Sequence, residues 1–173
     1  MMGDMVRWLD DDEQRTWRAF LWATQLLQEE MDRQLQRDAG VPLSYYVAMA
    51  MLSESPTRSL TMSELAQSAH SSPSRLSHAV RKLEELGYIE RSRHPEDGRT
   101  TIATLTEAGL AFVESAAPGH VETVRRAVFD PLGHDQAKHL REISEAILQQ
   151  LGRPCEPGPA PAPEAGTGTG PTA

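Results

Sequence analysis

The stretch SSPSRLSHAVRKLEELGYIERSRHPEDGRTTIATLT, residues 71–106, carries a helix start, a helix stop and a hairpin turn in close succession. Ser72 followed by Pro73 is a capping residue ahead of a proline at the first helical position, and Gly87 supplies the stop. Between them Leu76, Ala79, Val80, Leu83 and Leu86 recur at helical spacing and mark an inward face. The outward face carries Ser74, Arg75, Ser77, His78, Arg81 and Lys82, with Glu84 and Glu85 deferred to the C-terminal end. Residues 88–93 and 100–105 are β-branched or alternating runs on either side of HPEDG, which predicts a hairpin. Arg91, Arg93, His94 and Arg99 crowd around that acidic turn.

Immediately upstream, TMSELAQSAH reads as a helix of barely two turns, started by a capping-box pair of Thr61 and Glu64 and joined to the next helix by HSS. Two short helices in this order, the second presenting small polar and basic side chains, match a helix-turn-helix whose second helix enters the major groove by its N-terminal end. Ser72, Ser74 and Ser77 suit close approach to phosphates or bases. Arg75 and Arg81 reach guanine edges or phosphates, His78 does either, and Lys82 adds charge. The hairpin that follows is then a wing. Arg99 is the side chain expected in the adjacent minor groove, whose negative potential favours arginine. Asp97 is expected to brace the tip by pairing with Arg93 or Arg99, and Gly98 to supply the turn's backbone freedom.

Working outward, residues 10–39 predict a long helix, with Asp10, Asp11, Asp12 and Glu13 at its positive end and Gly40 as its stop. Trp17, Phe20, Leu21, Thr24, Leu27, Met31 and Leu35 form one stripe, which Ala19, Trp22, Ala23 and Leu26 widen beyond a single face. Such a helix packs on its own domain and on something further, a second subunit being the cheapest candidate. Residues 45–52 predict a short buried helix. Thr106 caps a helix reaching toward Phe129, with a kink or break expected at Pro118 and Gly119. A last helix spans 135–151, with Ala137, Leu140, Ile143, Ile147 and Leu151 at helical spacing. The fold class is therefore mainly α with a small β-hairpin wing.

SELAQSAHSSPSRLSHAVRKLEELGYIERSRHPEDGRTTIATLTEAG, residues 63–109, resembles the MarR family of bacterial winged-helix transcription regulators. The resemblance rests on the Leu-Ala of the short helix, the run from Leu83 to Gly87, Asp97 with Arg99 in the wing, and the Leu-Thr-Glu-Ala-Gly exit at 105–109. It extends over nearly all of residues 10–151. It implies a single domain over 1–152, with residues 43–105 as the winged helix-turn-helix DNA-binding lobe and 10–40 and 106–152 as helices of a homodimer. It further implies two reading helices addressing a pseudo-palindromic operator, usually for repression, with half-sites roughly 34 Å apart. Family members that bind small aromatic acids suggest an effector cavity, for which Trp17, Trp22, Tyr45 and Tyr46 are the candidate walls and Arg18 the carboxylate partner.

Net charge is -8 over 173 residues, but it is segregated: -5 over residues 1–56, +1 over 57–105 and -3 over 106–152. An anionic partner should meet the middle of the chain. From Arg153 onward, RPCEPGPAPAPEAGTGTGPTA holds six prolines, four glycines and no large apolar residue, the composition of a disordered tail over 153–173. The single cysteine, Cys155, lies there, which excludes an internal disulfide framework and fits a reducing cytoplasm. No apolar run is long enough for a membrane span. His120, His134, Asp135 and His139 invite a metal, but His134 and His139 are five positions apart, a poor ligand spacing, and only Asp135 and His139 share a helix face, so none is assigned. No cofactor is expected, and no nucleophile, metalloprotease or phosphate-loop motif nominates an enzyme. Two other classes stay open: a winged-helix module for protein contacts, and a ligand-binding helical dimer without DNA binding. The expected place of action is the cytoplasm, at the nucleoid through operator binding.

Overall fold

A computed structural model describes residues 6–152, so the Pro/Gly-rich tail and Cys155 lie outside the described residues. The element order is α1 (Asp11–Ala39), α2 (Leu43–Glu54), β1 (Ser59–Thr61), α3 (Met62–Ser68), α4 (Pro73–Glu85), β2 (Ile89–Arg93), β3 (Thr101–Leu105), α5 (Glu107–Val124), a π-helical segment (Arg125–Phe129) and α6 (His134–Gln150). The chain divides into two compact units at Gly133 and His134.

The helix boundaries follow the local chemistry. Asp10 caps α1, accepting from the Asp12 and Glu13 backbone N–H groups, while Glu13 reaches back to the Asp10 N–H; Gly40 ends the helix at φ +71°. Thr61 and Glu64 make the second capping box. Ser72 caps α4 ahead of Pro73, and Gly87 follows its end at φ +77°. His70, in the turn between α3 and α4, holds φ +46° without being glycine, a conformation that histidine tolerates better than bulkier residues.

The core of the first unit gathers Leu35 from α1, Met49 and Leu52 from α2, Leu65 from α3, Leu76, Val80 and Leu83 from α4, and Ile89, Ala103 and Leu105 from the strands. Val113 and Ala116 bring α5 onto it. The sheet has three strands in the order β1-β3-β2, all antiparallel, where the sequence predicted two. β1 pairs Ser59 with Thr104 and Thr61 with Ile102, and the Ser59 and Thr104 hydroxyls meet at 2.8 Å. On β2 only Ile89 is buried, and the remaining four residues leave the core as the wing.

The break expected at Pro118 does not occur, and α5 continues through it to Val124. Buried Ala116 and Thr123 hold that segment on the core side, and a Cβ on Gly119 would stand 3.0 Å from the Gln34 side chain of α1. Packing thus overrides the weak propensity of proline and glycine. The irregularity comes later, at the π-helical turn. In the second unit, α6 has no buried residue, and Leu140, Ile143, Ile147 and, just past its end, Leu151 are exposed at three- and four-residue spacing.

Candidate nucleic-acid interface

Burial of Leu76, Ala79, Val80 and Leu83 fixes the rotation of α4 and turns Ser74, Arg75, Ser77, His78 and Arg81 outward, all of them exposed. Ser72 is committed to capping the helix, its hydroxyl accepting the Arg75 N–H. The register of β2 against β3 sets Arg91 opposite Ala103 and Arg93 opposite Thr101, at the mouth of the wing loop. α4 and the wing meet in a polar recess lined by Ser74, Ser77, His78 and Arg81 from the helix and Arg91 from the strand. A second recess shares Arg91 with the first and is lined as well by Glu84, Ser92, Arg93 and Thr101. α4 and the wing are therefore joined at Arg91 by a polar, exposed surface.

The tip is closed by two backbone bonds: the His94 N–H to the Thr100 carbonyl and the Thr100 N–H to the Asp97 carbonyl, each 2.9 Å. Asp97 does brace it, but not through a guanidinium. Its carboxylate accepts the Arg99 backbone N–H at 3.0 Å and the Thr100 hydroxyl at 2.7 Å. Those bonds, the Thr100 hydroxyl foremost, hold Asp97 below the usual carboxylate range. The sequence expectation of a pair with Arg93 or Arg99 is corrected accordingly: an Asx-type turn uses the short aspartate side chain locally and leaves both guanidinium groups free. His94 Nδ1 accepts the Glu96 N–H at 3.2 Å. Gly98 is also corrected: its φ lies outside the left-handed range, and nothing stands within 4 Å of a Cβ built there.

Two of the expected cations are occupied. Lys82 Nζ pairs with Glu85 at 2.6 Å, and Arg91 donates from Nε to Glu84 Oε2 at 2.8 Å and from Nη2 to the same oxygen. The Arg91 hydrogen bond holds Glu84 below the usual carboxylate range and raises Arg91 in turn; the Lys82 bond does the same to Glu85. The sequence reading set Glu84 and Glu85 aside as lying away from the interface, and missed these roles. Seven residues that cross a helix end and a turn give no periodic signal for the pair of Glu84 and Arg91.

The candidate cavity residues are not brought together. Tyr46 is buried in the core with its ring 4.8 Å from that of His120, and Tyr45 is partly buried against the core. Trp17 and Trp22 remain 51% and 60% exposed on the first half of α1. At about 1.5 Å per residue, Trp17 lies roughly 27 Å along the helix from the core residue Leu35. Arg18 hydrogen-bonds Gln14 at 3.1 Å. Among the described residues no three His, Cys, Asp or Glu side chains are grouped to hold a metal, and no helix is long and apolar enough to cross a membrane.

Comparison with known proteins agrees with this geometry. The MarR family model matches residues 39–100, which include α2 to α4 and most of the wing. The HTH-type transcriptional repressor Rv2887 of Mycobacterium tuberculosis is 34% identical over 113 residues, covering 65% of this chain and 76% of the relative. The crystal structure of Sco3205, a MarR family transcriptional regulator from Streptomyces coelicolor in complex with DNA, superposes with a TM-score of 0.82 at 47% identity, covering 86% of this chain and 93% of that one. AbsC, a MarR family regulator from the same organism, gives a TM-score of 0.80 at 35% identity over 85% of this chain and 99% of its own. With the winged helix-turn-helix in place and relatives matched along most of their length, the chain belongs to the MarR family of transcriptional regulators.

Proposed function

We propose that the chain binds a pseudo-palindromic duplex operator as a homodimer and represses transcription from it, α4 reading the major groove and the wing reaching the neighbouring minor groove. The observation that carries this reading is the distribution of ion pairs. Arg18 apart, the lysines and arginines among the described residues that make no ion pair are Arg75, Arg81, Arg93 and Arg99. A chain with net charge -8 neutralises its cations nearly everywhere except on one surface, and that surface is the outer face of α4 with the wing. Unpaired guanidinium groups there keep their donors for phosphates and base edges.

The dimer is supported by apolar surface that the single chain leaves uncovered. Trp17, Phe20, Leu21, Trp22 and Leu26 of α1 are 40–62% exposed, and α6 carries its own exposed stripe. Residues 10–40 and 106–152 are accordingly assigned to dimerisation and 43–105 to DNA binding. Repression is supported by the mycobacterial relative, a transcriptional repressor, and DNA binding by the complex of the Streptomyces one. Such a regulator acts in the cytoplasm, at the nucleoid.

The test is selection of duplexes by the purified chain from a randomised library, followed by anisotropy titration of the recovered sequence. Arg99→Ala should weaken binding without altering the fold. Arg75→Ala or Arg81→Ala should cost about 1 to 3 kcal/mol and relax preference at one base pair where the contact is bidentate. Unchanged affinity in all three variants would refute the reading.

A further inference from the structure

Glu84 is out of place on a surface meant for a polyanion. It stands on the last turn of α4, and by charge alone it would repel a phosphate. Its carboxylate is nonetheless the anchor of Arg91, with the Arg91 Nε and Nη2 both donating to Glu84 Oε2. The two side chains are only 36% and 35% exposed, so the pair is partly shielded from water. Two nitrogens on one oxygen hold the guanidinium beside that carboxylate and narrow the rotamers open to Arg91.

That position is between α4 and the wing. Arg91 sits in the middle of β2, opposite Ala103 and well inside the loop, and it walls the recess that Ser74, Ser77, His78 and Arg81 line from the helix side. Its Nη1 has no hydrogen-bond partner among the described residues, so donors remain after the pair with Glu84 forms. The recess is lined by Arg81 and Arg91 and by no carboxylate, so it keeps a positive balance. The hydroxyls of Ser74 and Ser77 add neutral donors. An untethered arginine on an exposed strand would have to lose its rotamer freedom on meeting DNA; this one has lost it beforehand.

We infer that Glu84 is a positioning residue for DNA binding, holding the Arg91 guanidinium over the recess between α4 and β2 to receive a backbone phosphate, so that this negative charge strengthens binding to a polyanion. The inference rests on the proposed DNA-binding function and deepens it.

The sign of the effect separates this role from simple repulsion. The probe is the duplex that the wild-type chain selects from a randomised library, titrated at two salt concentrations, with thermal unfolding confirming each variant's fold. Glu84→Ala should weaken binding roughly fivefold, the size of one lost orienting contact. Glu84→Gln keeps an oxygen acceptor for Arg91 and should lose less. Arg91→Ala should lower the slope of log affinity against log salt by about 0.9, the value for one phosphate contact. In the Arg91→Ala background, Glu84→Ala should no longer weaken binding and should leave it equal or tighter. Binding by Glu84→Ala as tight as wild type or tighter would overturn the inference while leaving DNA binding intact. A loss that persists without Arg91 would also overturn it, by showing a merely structural role. Failure of the wild type to select any duplex would overturn the DNA-binding reading itself, and this inference with it.

Discussion

Gly109 lies against the carbonyl of Tyr88: a Cβ built at position 109 would stand 2.2 Å from that oxygen and 2.7 Å from Leu105 Cδ1. The contact places the first turn of α5 directly on the end of the reading-helix turn. The same carbonyl accepts the Thr106 N–H at 3.0 Å, the Thr106 hydroxyl donates to the Gly87 carbonyl at 2.8 Å, and it accepts the Gly109 N–H at 3.0 Å. The wing thereby returns to the start of α5 at a fixed point. Gly109→Ala forces backbone apart from backbone, which no rotamer change can relieve. A loss of about 2 kcal/mol or more is expected. Thermal unfolding should report it as a fall of roughly 4 to 8 °C in Tm.

Gly98 should behave oppositely. Its φ lies outside the left-handed range and nothing stands within 4 Å of a Cβ, so Gly98→Ala has no folded-state penalty and restricts the unfolded chain. Stability should be unchanged or rise by up to about 1 kcal/mol. Affinity for the selected duplex should nevertheless fall, because the absent Cβ then matters only where the tip meets a groove wall. An alanine variant that is fully stable and binds as tightly as wild type would show that the tip stays clear of the duplex.

Much of this was legible because helix ends are written in local chemistry. Asp10, Thr61 and Ser72 with their partners, Pro73, Gly40 and Gly87 all act within a few residues of themselves. The outward set on α4 followed from which residues had to face the core. What the sequence could not show depends on residues brought from a distance. β1 is a three-residue strand held by its pairing to β3, more than forty positions away, and has no pattern of its own. Continuation of α5 through Pro118 depends on α1 packing against it. The identities of the wing cations were readable, but their partners were not: Asp97 turned to Arg99 N–H and Thr100, and Arg91 to Glu84. That difference decides which guanidinium groups are tethered, as Arg91 is, and which, as Arg93 and Arg99, are not.

His120 gives the fold a pH dependence whose sign is fixed. Burial against Tyr46 pushes its imidazole below the ordinary value of 6.5, and its Nδ1 has no hydrogen-bond partner. The unfolded chain therefore binds more protons than the native one in the acidic range. The stability tied to the neutral ring is fully present above 6.5 and is lost as pH falls through the lower native value. His120→Phe keeps a ring on Tyr46 and removes the titration. Its drop in Tm between about pH 7 and about pH 5 should be smaller than that of wild type. Equal drops would place the pH dependence elsewhere.

The exposed apolar side chains of α1 make the dimer testable without disturbing the single chain's core. Leu35 is fully buried, and Leu26 stands nine residues before it, about two and a half turns away and so on the opposite side of the helix. Trp22 lies near Leu26, and the two are 60% and 62% exposed. An exposed apolar patch of this kind marks an interaction site, which the proposed dimer assigns to a second copy. Trp22→Ala with Leu26→Ala should therefore loosen self-association while the far-ultraviolet circular dichroism of the chain stays helical. A buried tryptophan at a dimer contact is worth about 2 kcal/mol or more, roughly a thirtyfold rise in the dissociation constant. Sedimentation velocity at declining concentration should show that shift, and operator binding should weaken with it because two linked half-sites are no longer engaged together. If the double variant stays as tightly associated as wild type, this face of α1 does not form the dimer.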